Sequence, residues 1–123
     1  MKLSVLYLDD ETACLGVFYE TFEREYDVRT AASADEARRM LAEQPADVVI
    51  SDQSMSDTTG KVFLAEVAES HPSAYRVLLT GSITAGEAIR EIGAGVVQAF
   101  VTKPWSKDDI YRVLERARAG ENL

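Results

Sequence analysis

A lone cysteine, a lone histidine and a shortage of basic residues narrow the reading of this 123-residue chain before any motif is sought. With only Cys14, an internal disulfide and a metal site of several thiolates are both excluded. Cys14 sits in an amphipathic stretch and is expected as a small core residue, not as a reactive thiol. His71 precedes Pro72 at an apparent helix end and reads as a solvated C-terminal residue, not as a ligand or base. Positive charge is scarce: 13 Lys and Arg face 21 Asp and Glu, giving a net charge of -8, which speaks against attraction to nucleic acid or an anionic membrane. No apolar run approaches the roughly 18 residues of a membrane helix. The start, MKLSVLYLDDE, is too short for the apolar core of a signal peptide. Repeats, linkers and low-complexity segments are lacking up to the last residues, AGENL. The default reading is a cytoplasmic protein.

What is present fits one folded domain over residues 1–123: 46% hydrophobic and 28% charged residues are ordinary for a globular chain of this length. Strand-like runs recur at 3–8, 27–32, 47–51, 75–79 and 96–102. Between and after them, apolar residues fall at helical spacing: Leu15, Phe18 and Phe22; Ala37, Met40 and Leu41; Leu64, Val67 and Ala68; Ile110, Val113, Leu114 and Ala117. Three helix starts carry a hydroxyl followed three residues later by an acid: Ser33 with Glu36, Thr84 with Glu87, and Ser106 with Asp109. The pair His71-Pro72 closes the third helix, because a residue before proline is pushed out of the helical region.

This alternation of five strands with five helices predicts an α/β fold with a parallel sheet, wound by helices on both faces. The first and third strands are apolar throughout, as central strands should be. In the doubly wound, flavodoxin-like order 2-1-3-4-5 they are neighbours, and a crevice opens at their carboxyl ends. The polar residues at strand ends matter for that reason. Asp9 and Asp10 follow the first strand, Asp52 the third, Thr80 the fourth with Gly81 behind it, and Lys103 the fifth with Pro104 behind it.

Three carboxylates at one crevice repel, by about 4 kcal/mol for a pair at roughly 4 Å and an effective dielectric of about 20. Protonation or cations must offset them, and a hard divalent ion such as Mg²⁺, which takes oxygen ligands, suits the set. Lys103 supplies a fixed positive charge. Asp52 alone reads as a turn or cap residue; five polar positions on successive carboxyl edges read as a site. Asp108 and Asp109 are expected as first-turn acids of the last helix, and Asp57 as a loop residue.

With these residues in place, the sequence resembles the receiver domain of two-component response regulators over essentially its whole length. The resemblance rests on the acid pair Asp9-Asp10, on Asp52 followed by Met55 and Gly60, on Thr80-Gly81, and on Lys103-Pro104. It implies that Asp52 accepts a phosphoryl group from a partner histidine kinase, a phosphotransfer protein or a small phosphodonor. It further implies a Mg²⁺ ion held by Asp9, Asp10, Asp52 and the backbone carbonyl of Ser54, with Lys103 pairing with a phosphoryl oxygen. Thr80 and Phe100 would form the switch, altering the face of the fourth helix, fifth strand and fifth helix that meets an output domain or partner. Phosphorylation and dephosphorylation would be self-catalysed, and the domain would not be an enzyme in the ordinary sense.

Some features depart from the family pattern or stay open. Ser56 stands where proline is common, Phe100 where tyrosine is commoner, and Ser54 and Ser82 occupy positions that tune the lifetime of the acyl phosphate. Phe100 also reads as a core residue. Trp105, in the segment KPW, reads either as an anchor for a partner or a second copy, or as a cap on the core. Two other functions stand beside the switch. One is an interaction module that keeps the fold without phosphorylation. The other is a Mg²⁺-dependent phosphatase with an aspartyl nucleophile, which wants a second Asp where this chain has Ser54.

Overall fold

Four of the five apolar runs become strands almost as marked, and the fifth starts later. They are β1 (Ser4–Leu8), β2 (Asp27–Ala31), β3 (Val48–Asp52), β4 (Tyr75–Thr80) and β5 (Ala99–Thr102). All pairings are parallel and the order is β2-β1-β3-β4-β5, as the alternation predicts. The structure is a computed structural model that describes residues 2–81, 87, 90 and 92–120. Among these lie four helices, α1 (Thr12–Phe22), α2 (Ala34–Glu43), α3 (Gly60–Ser70) and α4 (Lys107–Ala119). The fifth expected helix, with its start at Thr84 and the neighbouring Ser82, falls largely outside the described residues. Those of its residues that are described, Glu87, Arg90, Ile92 and Gly93, are helical.

Alternation along each strand sorts the core into two layers. Val5, Tyr7, Val48, Ile50, Val77, Leu79, Ala99 and Val101 pack with Leu15, Phe18 and Phe22 of α1 and Ile110, Val113 and Leu114 of α4. Leu6, Leu8, Val49 and Leu78 pack on the other face with Ala34, Ala37 and Leu41 of α2 and Phe63, Leu64 and Val67 of α3. The sheet is thus covered on both sides, which explains why β3 and β4 are buried at every residue.

Helix starts follow the sequence signals and improve on one of them. The Ser106 side chain accepts from Asp109 N, and Asp109 returns the bond to Ser106 N, so the shorter acid completes the box. Ser33 accepts from Glu36 N, but Glu36 reaches back to Ala32 N. Thr59 caps α3 through Val62 N, and α3 ends at Ser70 with His71 as its C-cap.

Cys14 corrects its expected place in the core. It is half-buried at the edge of the α1 stripe, 3.7 Å from a Glu11 carboxylate oxygen, and borders an open groove. Burial first, then the charges of Asp9 and Glu11, push its thiol above the ordinary value, which agrees with an unreactive group.

Candidate functional site

The parallel registers carry the acids to one rim. Leu8 pairs with Ser51, so the next residues along, Asp9 and Asp52, emerge side by side at the carboxyl ends of β1 and β3. Asp52 is the last residue of β3, one position further than the apolar run suggests. Asp9, Asp10 and Asp52 each offer a carboxylate oxygen, and these oxygens lie within 4.8 Å of one another. Thr80 ends β4 beside them, and its carbonyl accepts from Lys103 N at 2.9 Å, fixing the start of the loop after β5. The Lys103-Pro104 bond is cis.

Lys103 closes the rim with charge. Its Nζ lies 2.7 Å from Asp52 Oδ1 and 3.6 Å from Asp9 Oδ2. Burial works against the ammonium, yet the bond to Asp52 and the charges of Asp9 and Asp52 outweigh it, so the amine is held above its usual value. Asp52 is the more telling group. Burial pushes its carboxyl up, the Lys103 bond pulls it down, and the charges of Asp9 and Asp10 push it up again, with a net rise. Three carboxylates and one ammonium thus share the pocket.

Each acid is held differently. Asp9 is fully buried; its Oδ2 accepts from the Tyr7 hydroxyl at 2.6 Å and its Oδ1 from Glu11 N at 3.0 Å. Asp10 is exposed, and its Oδ2 accepts from Ser56 N at 3.0 Å. Asp57, expected as a plain loop residue, accepts from Ala34 N at the start of α2. Sequence reasoning missed Tyr7 and Ser56 as partners of the acids. Tyr7 had a signal, since residues two apart on a strand share a face. Ser56 had none, because its contribution is a backbone N–H.

The remaining candidates fall as follows. Ser54 lies just past β3 and pairs as an isolated bridge with Thr59. Gly60 must lack a side chain: a Cβ there would sit 2.3 Å from the Asp52 carbonyl oxygen. Phe100 is partly buried against the α2/α3 layer. It pairs with Leu78, two residues before Thr80, on the sheet face that Thr80 shares by alternation. It also borders a cavity of about 160 Å³ with Asp109, Arg112 and Arg116. Trp105 caps the core, its ring centroid 5.8 Å from that of Phe18, and with Ala13, Cys14, Val17 and Pro104 it lines a groove of about 520 Å³ beside Lys103. The donor set is entirely of hard oxygens, so it fits Mg²⁺ and not a thiolate- or imidazole-seeking metal. Among the described residues no helix is long and apolar enough to cross a membrane.

Comparison with known proteins agrees with this geometry. Residues 5–115 match the response regulator receiver domain. The hydrogenase transcriptional regulatory protein HoxA of Cupriavidus necator is 33% identical over 99% of this chain and 25% of its own length. The transcriptional regulatory protein GlrR of Escherichia coli is 32% identical over 92% of this chain and 26% of its own. The chain thus spans about a quarter of the length of these curated relatives. Among solved structures, the signal receiver domain of an HD domain-containing protein from Pseudomonas fluorescens superposes with a TM-score of 0.87 at 25% identity, covering 98% of this chain and 97% of that one. A response regulator receiver domain protein from Clostridium thermocellum gives 0.86 at 27% identity, covering 96% and 95%.

Proposed function

The chain belongs to the response regulator receiver family, the phosphoacceptor domains of two-component signalling, and from that premise we propose that Asp52 is the residue phosphorylated. The observation that carries this is the convergence of Asp9, Asp10 and Asp52 within 4.8 Å, with Lys103 at 2.7 Å from Asp52. Receivers hold Mg²⁺ in an acidic pocket; here Asp9, Asp10, Asp52 and the Ser54 carbonyl would hold it, supplying the positive charge that the phosphoryl oxygens need.

The chain's own groups do the rest. A carboxylate oxygen of Asp52 forms the bond to phosphorus, while the bond from phosphorus to the donor's imidazole nitrogen or acyl oxygen breaks and the leaving group takes the electron pair. Lys103 turns from Asp52 to a phosphoryl oxygen, and burial of the pair makes that charge effective. Thr80 then donates its hydroxyl to another oxygen. Phe100, diagonal to Thr80 on the same sheet face, takes up the space this vacates, and the face of β5, α4 and the segment preceding β5 changes with it. The groove beside Lys103 suits the approach of a histidine kinase or phosphotransfer protein, with Trp105 at its wall.

Residues 1–123 act in this reading as one cytoplasmic receiver unit whose phosphorylation and dephosphorylation are self-catalysed. HoxA and GlrR are by name transcriptional regulators, and an output of that kind is the one they favour. Nucleic acid would be met by such an output and not by this acidic domain. The phosphatase reading wants an acid where Ser54 stands; against the inert-module reading, which the departure at Ser56 leaves open, stand the five site residues and a Ser56 N–H that donates to Asp10. The test is intact mass after incubation with acetyl phosphate and Mg²⁺. Wild type is expected to gain one labile phosphoryl group and Asp52→Ala none; equal gain by both would remove Asp52 from its role.

A further inference from the structure

Asp9 and Asp52 are buried, and their orientations are set from within: Asp9 by Tyr7 and Glu11 N, Asp52 by Lys103. Asp10 is exposed, and an exposed aspartate samples several rotamers unless something holds it. What holds it is Ser56 N, 3.0 Å from Oδ2 and 46 residues away in sequence. That donor is itself well fixed. Gln53 N donates to Leu79 O at 2.9 Å, Gly60 N to Gln53 O at 3.0 Å and Lys61 N to Gln53 Oε1 at 3.0 Å, and these close the base of the loop. Asp57, the residue after Ser56, is tied to α2 through Ala34 N at 3.2 Å.

We infer that this chain, by carrying Ser56 where the family commonly has proline, gains a positioning group for the divalent-ion site: the backbone N–H of Ser56 pins Asp10, the exposed carboxylate of the three. The inference rests on the reading of that site given above. A carboxylate accepts through two oxygens, so a donor on Oδ2 leaves Oδ1 for a cation. An acid already ordered loses less freedom when the ion arrives, and removal of such an outer partner typically lowers metal affinity by about tenfold or more. The same bond links ion and loop: by mutual dependence, an ion that needs Asp10 in this orientation also strengthens the hold of Asp10 on Ser56, and through Asp57 on the start of α2.

The test separates the N–H from the side chain. Ser56→Pro removes the donor, whereas Ser56→Ala keeps it. In calorimetric titration with Mg²⁺, Ser56→Pro is expected to bind about tenfold more weakly than wild type and Ser56→Ala as wild type does. Unchanged or tighter binding by Ser56→Pro, or an equal loss in both variants, overturns the inference while leaving the ion site intact. Absence of Mg²⁺ binding by wild type overturns the ion site itself, and the inference with it. If the proline variant does not fold, amide hydrogen exchange of wild type decides: the Ser56 N–H is expected to exchange more slowly in saturating Mg²⁺, and faster exchange would mean that the ion displaces the bond.

Discussion

The two ends of this sheet bury charge in opposite ways. At the amino end of β4, Arg76 is only 4% exposed and pairs with no acid among the described residues. Its Nε donates to Val96 O at 2.8 Å, one terminal nitrogen to Pro72 O and Ala74 O at 3.2 and 2.8 Å, and the other to Gly95 O at 2.9 Å. At the carboxyl end, Asp52 is 6% exposed, is crowded by two other acids and has one lysine for relief. Burial lowers the pKa of Arg76 and raises that of Asp52, but only Arg76 has all its nitrogens bonded within the fold. The arginine is a clamp that ties the segment before β5 to β4. The aspartate shares its pocket with two other acids and one lysine, a charge balance that suits the phosphoacceptor role proposed for it.

The largest expected effect comes from breaking the clamp. Arg76→Ala leaves the carbonyls of Pro72, Ala74, Gly95 and Val96 without this donor, and urea denaturation should show a summed loss, about 1–3 kcal/mol for each of these carbonyls that water does not reach. Lysine should not restore it, because one ammonium cannot span the fork. Next is Gly60→Ala, which drives a Cβ to 2.3 Å from Asp52 O and 2.8 Å from Leu78 Cδ1. The nearer neighbour is backbone and cannot swing aside, so a loss of about 1–3 kcal/mol is expected. Because the strain falls on Asp52, Mg²⁺ affinity should fall in this variant and stay unchanged in a folded Arg76 variant. Equal affinities in the two would erase the distinction between the ends.

The smallest effect has the opposite sign. Ionised Asp52 costs the folded state, since its folded pKa lies above the ordinary 3.8. Below 3.8 both states carry the neutral acid and the cost is absent; as pH rises from there through the folded value the cost develops, and above it the cost is complete. Without Mg²⁺, Asp52→Asn should therefore melt higher than wild type near neutral pH, and the gap should shrink as the pH is lowered through that window.

The contrast also marks what could be read in the sequence. Strands buried on both faces announce themselves as apolar runs, and the rim residues are visible because each ends such a run: Asp9, Asp52, Thr80 and Lys103 stand where expected. Run ends are less sharp. Asp52 continues the ladder of β3 although its side chain is charged. The ladder of β5 begins only at Ala99, since Gln98 uses its side-chain carbonyl to take the Arg76 N–H at 2.7 Å. Cys14 and Met40, placed in the core by helical spacing, lie at the margins of their stripes and are half-buried. What stayed hidden was the support of the acids. Tyr7 reads as one more core residue until its hydroxyl is seen on Asp9, and the Arg76 clamp uses only carbonyls, which every residue has.

Thermal melts of wild type and Asp52→Asn with and without Mg²⁺ test most directly whether the carboxyl rim is short of positive charge by construction. The expected result is an inversion: the variant melts higher in the absence of Mg²⁺, and wild type gains several degrees in saturating Mg²⁺ while the variant gains less. A wild-type melting temperature indifferent to Mg²⁺, together with a variant no more stable than wild type without it, would contradict the account.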